Sequence, residues 1–192
     1  MLYKEFLLCQ NGLASATSCS DLIDNKVKHD TFTRLLNIGD YTSKELWKEA
    51  KTVIDFQTSE DDCLLLDNTI GEKPYSTENE FICWHYDHAK GRSVKGIKLI
   101  SLLALRGNAC VPVGYDVQMK SHFEIGKTKA GKAKFKRKAN KTINAIARAV
   151  LGQALKNGVK FKYLLGDKWF ASKANLTCFY ENKVRYRSIC WC

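Results

Sequence analysis

The sequence predicts an α-helical N-terminal region followed by an α/β domain built on a mixed sheet, and three observations carry that expectation. Apolar residues in 1–57 recur at spacings of three and four with few breakers, the period of helices that bury one side. Between residues 63 and 119 the pattern changes to short apolar or alternating runs bounded by polar turns, which is how strands read. From Thr142 onward a long amphipathic helix leads through a tight turn into another strand, and strand–helix–strand order is the crossover that joins neighbours of one sheet.

Taken in order, Ser20-Asp21-Leu22-Ile23 opens a short helix, residues 25–29 read as a turn, and Asp30 is the N-cap candidate of the next helix, which begins Thr31-Phe32-Thr33-Arg34. Two short helices joined by a turn fit a helix-turn-helix. They fit a small bundle packed on a neighbour at least as well, because the segment is net acidic and Arg34 is its only arginine. A third helix is expected over 43–56, where Leu46, Trp47, Ala50, Val53 and Ile54 form one stripe. The polar residues 57–62 then separate this helical region, 1–57, from the strand-rich remainder of the chain.

Cys63-Leu64-Leu65-Leu66 reads as a strand buried on both faces and closed by Asp67. Residues 97–105 are a second strand, although their letters also suit a short helix. A third strand spans 110–119, where Val111, Val113, Tyr115 and Val117 alternate with more polar neighbours, and Arg106-Gly107-Asn108 is a hairpin turn. The stretch of roughly 30 residues between Asp67 and Ile97 is long enough to predict a functional loop or flap. Ile143, Ile146, Ala147, Val150, Leu151, Ala154 and Leu155 form an apolar stripe over one helix, Asn157-Gly158 supplies its C-cap, and 159–165 alternate as a strand that ends at Gly166-Asp167.

Composition bounds the function. The chain has 192 residues, 45% hydrophobic and 27% charged, which excludes a disordered tail, a collagen-like fibre and a short disulfide-stapled peptide. The net charge of +11 is unevenly spread, −7 in residues 1–90 and +18 in 91–192. A basic half of that size points to a polyanion, most often nucleic acid. The longest uncharged apolar stretch, 99–105, falls far short of the roughly 20 residues of a membrane-spanning helix, and 6–9 is too short for a signal-peptide core. The eight cysteines are therefore expected as thiols in a reducing compartment; they contain no C-x-x-C pair, and Cys178, Cys190 and Cys192 complete no zinc set.

Two carboxylates stand in equivalent places, Asp67 and Asp167, each at the end of an apolar run. Carboxylates at the carboxyl ends of neighbouring strands converge on one crevice, where they suit magnesium; the bland reading is that Asp simply leaves a strand well. Residues 127–141 hold eight basic residues and no acidic one: Lys127, Lys129, Lys132, Lys134, Lys136, Arg137, Lys138 and Lys141. Their density predicts a flexible arm that contacts phosphates, against the alternative of a solvated charged segment. Trp169-Phe170 suits either stacking on an unpaired base or the core. Trp84-His85-Tyr86-Asp87-His88 is too closely spaced to hold one ion and is expected in the long loop. No phosphate-loop or serine-esterase motif occurs.

The run Leu66-Asp67-Asn68-Thr69-Ile70-x-Glu72-Lys73-Pro74-Tyr75, with Glu78-Asn79-Glu80, Cys83-Trp84-His85-Tyr86-Asp87-His88, Lys90-Gly91-Arg92 and Lys95-Gly96-Ile97 behind it, resembles bacterial insertion-sequence transposases of the DDE superfamily. The run from Phe161 to Lys173, through Leu164-Leu165-Gly166-Asp167-Lys168-Trp169-Phe170, is similar to that family's second catalytic segment. The resemblance implies a ribonuclease H-like core over 62–176, in which two aspartates and a glutamate hold two divalent ions, Mg2+ or Mn2+, for DNA strand cleavage and transfer at transposon ends. Asp67 and Asp167 stand at the two aspartate positions.

Two departures shape the expectation. Asn68 stands where relatives usually carry a second aspartate. The family's glutamate lies on a helix after a further strand, whereas 25 residues follow Asp167 and their one carboxylate, Glu181, comes early. The sequence is accordingly read as a C-terminally truncated, inactive copy whose sheet is incomplete, lacking its last strand and helices. It leaves an open edge beside 159–165, an atypical terminus at 177–192 and a tendency to self-associate. The alternative is a non-catalytic DNA-binding protein that occupies transposon ends or pairs with a full-length transposase. No membrane partner is expected, and the location is the bacterial cytoplasm, at the nucleoid.

Overall fold

Three short helices pack around Phe6, Cys19 and Phe32 in the first of the chain's two units, Met1–Thr42. The computed structural model describes residues 2–9, 14–38, 41–54, 62–127 and 133–189. The helices are α1 (Leu2–Cys9), α2 (Ala16–Leu22) and α3 (His29–Asn37), and Tyr3 of α1 stacks on Phe32 of α3 with ring centroids 5.4 Å apart. The helix expected to open at Ser20 opens at Ala16 instead and ends at Leu22. Ser15 caps α2 by accepting the Ser18 N–H at 3.0 Å, and Asp24 and Asn25 turn the chain at φ of 55° and 57°, the left-handed region that short polar side chains tolerate best after glycine. Asp30 lies in the first turn of α3 rather than at its cap, where its charge still favours the helix dipole.

The second unit is Ser43–Cys192. Its first element, α4 (Ser43–Val53), groups by sequence with the helices before it, yet Ala50 and Ile54 are buried in the core of this unit and Ser43 Oγ accepts the Tyr115 N–H at 3.1 Å. Phe56, its expected last residue, is outside the described residues. Then follow β1 (Cys63–Glu72), β2 (Cys83–Asp87), β3 (Arg92–Arg106), β4 (Ala109–Val117), β5 (His122–Lys127), β6 (Ala133–Lys138), α5 (Ile143–Lys156) and β7 (Tyr163–Asp167). A 3-10 turn (Lys168–Phe170), α6 (Lys173–Glu181) and β8 (Arg185–Ile189) complete the described chain.

The sheet is mixed, as predicted, in the order β2-β3-β1-β7-β8 with β4 also on β3. Strand β1 runs antiparallel to β3 and parallel to β7. Gly96 pairs with both Glu72 and Cys83, and Leu99 to Leu105 pair with β1 on one side while β4 takes the other, so β2 and β4 share the outer edge of β3, end to end. Leu64, Leu66, Ile100, Leu102, Ala104 and Leu164 are buried on one face beneath Ala50 of α4 and Ile54 just after it, Ile146, Ala147, Val150, Leu151 and Ala154 of α5, and Phe179 of α6. Alternation sends Leu65, Asp67, Leu165 and Asp167 to the other face.

Several expectations are corrected. Strand β1 is buried on one face, not both, and runs five residues past Asp67 to Glu72. The long loop after Asp67 is mostly strand: β2 and β3 form a hairpin whose turn is held by Asp87 Oδ1, which accepts the Ala89 and Lys90 N–H groups at 3.0 and 3.2 Å. Trp84 to His88 therefore lie along β2 and just beyond it. A register shift between Leu102 and Leu103 makes Val113 an extra residue in β4, so Val111 and Val117 face opposite sides despite their even spacing. Strand β7 starts at Tyr163 rather than Val159, because Arg106 Nη2 takes the Lys160 carbonyl at 2.7 Å while the Lys162 N–H donates to the Asp62 carbonyl at 3.0 Å. Within the arm expected at 127–141, residues 133–138 form β6, which pairs with β5 in a two-stranded ribbon, and 128–132 lie outside the described residues. The sheet does not lack a strand beside β7: β8 pairs with it in parallel from Tyr163↔Arg185 to Asp167↔Ile189, which also closes the edge expected to stay open.

Other elements form where the sequence placed them. Thr142 caps α5 by accepting the Ala145 N–H at 3.2 Å, and Gly158 follows Asn157 at φ 77°. Gly107 turns β3 into β4 at φ 53°. Gly96 is the tightest point of the sheet: a Cβ there would press into the Gly71 carbonyl, which is backbone and has nowhere to go. Gly96→Ala is expected to lower stability by about 2 kcal/mol through overpacking, read as a lower urea midpoint with unchanged slope.

Candidate active site

Leu66 pairs with Gly166 across parallel strands, so the next residue on each, Asp67 and Asp167, stand side by side on the same sheet face. Gly166 permits this approach, since a Cβ would sit 3.3 Å from the Leu66 carbonyl oxygen and 3.5 Å from the Phe170 ring. Asp67 is exposed and lies in mid-strand opposite Ser101; Asp167 is half-buried at the end of its strand. The Asp167 carboxylate caps the 3-10 turn by accepting the Trp169 N–H at 3.4 Å, and Tyr186 Oη donates to the Asp167 and Gly166 carbonyls at 2.7 and 3.2 Å. Burial, then the negative charge of Asp167, pushes the Tyr186 phenol above its usual range, so it stays a hydrogen-bond donor.

Phe170 is fully buried while Trp169 is 56% exposed. The core reading of that aromatic pair thus holds for Phe170, and Trp169 turns outward. Its ring lies 4.9 Å from His88, which lies 4.9 Å from Tyr86, so three rings lead from Asp167 towards β2. Among the described residues no three His, Cys, Asp or Glu side chains gather at one point, and Glu181 at the end of α6 joins no such group.

The predicted phosphate contacts divide. Lys129 and Lys132 lie outside the described residues, Lys127 and Lys134 take places in β5 and β6, and Lys141 precedes α5, exposed. Lys136 is exposed, Lys138 pairs with Glu124, and Arg137 Nε meets Glu78 Oε1 at 3.2 Å while its guanidinium lies 4.5 Å from the Phe123 ring centroid. The ribbon is anchored at its base: Asn140 N–H donates to the Met119 carbonyl at 3.0 Å, and Ser121 donates to Asn140 Oδ1 from both N and Oγ.

Three basic groups crowd the buried face near that base. His85 is held down to a pKa of about 4, first by burial, then by the charges of Lys120 and Lys98; both lysines are also lowered, chiefly by burial. An unfolded histidine titrates near 6.5, so as pH falls the unfolded chain takes up a proton that the folded chain refuses. Stability contributed by neutral His85 is present above pH 6.5 and is lost as pH falls to about 4. The urea midpoint is expected to decline over that window, and His85→Gln to remove this part of the decline.

A family model described as DDE superfamily endonuclease matches residues 4–188. The chain belongs to the DDE superfamily of endonucleases. No curated protein and no solved structure matches it. Membership agrees with the mixed α/β architecture and implies a DNA substrate, and DDE endonucleases generally use divalent metals. Two adjacent carboxylates, hard oxygen donors that no third His, Cys, Asp or Glu joins among the described residues, are a donor set that fits magnesium or manganese. Among the described residues no helix is long and apolar enough to cross a membrane.

Sequence reasoning named both aspartates and missed what holds them. Tyr186 lies in the segment that reads as an atypical terminus, and its role depends on a pairing of β8 with β7 that no local pattern announces. Asn175, fully buried, bonds the Phe170 carbonyl at 2.9 Å and so fixes the turn after Asp167. Its one local signal is Ser172 three residues earlier, a helix cap that accepts the Asn175 N–H at 3.3 Å.

Proposed function

We propose that this chain cleaves and transfers DNA strands at transposon ends, with Asp67 and Asp167 as ligands of a divalent ion, Mg2+ or Mn2+. The observation that supports it above all is the register Leu66↔Gly166, which sets the two carboxylates on adjacent strands of one face. A bound ion of this kind polarises a phosphoryl oxygen and makes a water or 3′-hydroxyl a better nucleophile. The protein's own part is positional. The Trp169 amide orients the Asp167 carboxylate and Tyr186 ties down the backbone behind it, while exposed Asp67 faces solvent, where a phosphodiester can approach.

The DNA backbone lies, in this reading, along the ribbon β5–β6 and its lysines. Each phosphate contact contributes about 0.9 to the logarithmic salt slope on duplex DNA, so replacing Lys134, Lys136, Arg137 and Lys138 by alanine flattens that slope by about 0.9 for every contact removed. Fluorescence anisotropy of a labelled duplex between 50 and 300 mM salt reads this; an unchanged slope would make the ribbon a solvated surface. The deciding experiment for catalysis is nicking of supercoiled plasmid with Mg2+, Mn2+ or chelator. Metal-dependent nicks support the enzyme. Binding without nicks would favour the non-catalytic alternative, a protein that occupies transposon ends.

A further inference from the structure

Strands β1 and β7 pair from Cys63↔Tyr163 to Leu66↔Gly166, and that last pair falls one residue before Asp67 and Asp167. Backbone pairing therefore brings the two carboxylates together without continuing past them to fix their separation. Two ligands of one ion need that separation held, since magnesium demands near-ideal octahedral geometry at about 2.0–2.1 Å. Something beyond the ladder has to hold the strand ends.

The tip of the β2–β3 hairpin touches the continuation of both strands. Towards β1, Lys90 pairs with Glu72, and Arg92 Nη2 lies 3.9 Å from Glu72 Oε2. Towards β7, the His88 ring lies 4.9 Å from the Trp169 ring at an interplanar angle of 32°, and Tyr86 meets His88 edge-on at 4.9 Å and 75°. Trp169 is also the residue whose N–H donates to the Asp167 carboxylate. The tip is itself a closed turn: Asp87 Oδ1 accepts the N–H groups of Ala89 and Lys90 on either side of the bend, and Gly91 completes it at φ 61°. His88 and Trp169 are both exposed, so their contact serves no core. Solvent-exposed ion pairs such as those of Glu72 contribute little, which leaves the ring contact as the firmer half of the connection.

We propose that His88 is a positioning residue: its ring, held between Tyr86 and Trp169, steadies the turn after β7 and so sets the Asp167 carboxylate against Asp67. The assignment rests on the metal reading above and adds the β2–β3 hairpin to the catalytic apparatus, acting through Trp169. Its role is ring contact rather than proton transfer, so another flat ring replaces the imidazole.

The test uses the full chain, with Mn2+ alone as the first probe, followed by electron paramagnetic resonance of the free ion, and plasmid nicking as the second. His88→Ala is expected to weaken Mn2+ binding and slow nicking by about tenfold each, the cost of disturbing groups that orient a metal ligand. DNA affinity by anisotropy and the urea midpoint stay unchanged. His88→Phe keeps the ring and restores both readouts. A double variant carrying His88→Ala and Trp169→Ala should be no worse than Trp169→Ala alone, because the two side chains act through one contact. A His88→Ala protein that binds Mn2+ and nicks like its parent overturns the positioning role and leaves the metal reading standing. A lowered urea midpoint with intact Mn2+ affinity makes His88 merely structural and overturns it too, as does a His88→Phe protein as impaired as His88→Ala. A parent chain that binds no more Mn2+ than its Asp167→Asn variant overturns the metal reading and the positioning role with it.

Discussion

Asp167→Asn is expected to abolish metal-dependent nicking, with a loss well beyond a hundredfold, while the urea midpoint stays close to that of the unchanged protein. Disturbing only the outer partners of a metal ligand costs about 10–100-fold, so removing the ligand's charge costs more. Asparagine keeps the carbonyl oxygen that accepts the Trp169 N–H, so the 3-10 turn and the buried Phe170 behind it are preserved. What changes is the donor set: a carboxylate that attracts a hard cation becomes a neutral amide. Asp67→Asn should behave alike, because the register makes the two positions equivalent in the sheet. Nicking measured across Mn2+ concentrations, with DNA binding by anisotropy in parallel, gives the answer. An Asp167→Asn protein that nicks as fast as its parent would remove this residue from the catalytic centre, and with it the reading of the strand ends as a metal site.

The strand positions of the two carboxylates were legible in the sequence because each follows a short apolar run bounded by polar residues. That they meet was less legible. Asp67 reads as a strand end, yet β1 continues through Asn68-Thr69-Ile70-Gly71-Glu72, mostly polar or small residues that carry little strand signal and are held by five successive partners on β3, Ile100 to Gly96. The same non-local pairing turned an expected loop into β2 and the start of β3, and an expected atypical terminus into β8. Local periodicity did well where a helix decides its own ends, as at Thr142 and Gly158. It did poorly where a partner strand supplies the hydrogen bonds, because the pairing energy lies in another part of the chain. The bulge at Val113 is the sharpest case: alternation of Val111, Val113, Tyr115 and Val117 looked like one face, and one extra residue divided it between two. The charge run was legible as charge. Its shape as a ribbon, with Arg137 turned to Glu78 and Phe123, was not.

Asn175→Ala is expected to be the most destabilising single change near the site. The side chain is fully buried and joins three elements: Nδ2 donates to the Phe170 carbonyl at 2.9 Å and to Asn144 Oδ1 at 3.0 Å, and Oδ1 accepts Arg148 Nη1 at 2.6 Å. Alanine leaves the half-buried Arg148 guanidinium and the buried Phe170 carbonyl without this partner. A bond to a charged group contributes about 1.5–3 kcal/mol, and a buried group left unsatisfied costs about 1–3 kcal/mol more. A total near 3–5 kcal/mol lowers the melting temperature of a chain this size by roughly 6–20 °C. The effect should reach the chemistry as well. Phe170 ends the turn whose Trp169 N–H holds the Asp167 carboxylate, so loosening it lets the carboxylate drift from Asp67 and lowers kcat even at temperatures where the protein stays folded. Asn175→Asp separates the two causes: it retains the acceptor for Arg148 and loses the donor to Phe170. Nicking that falls in the aspartate variant while the melting temperature falls only a few degrees would show the amide positioning Asp167. Equal activity in both variants, measured well below their melting temperatures, would confine Asn175 to stability.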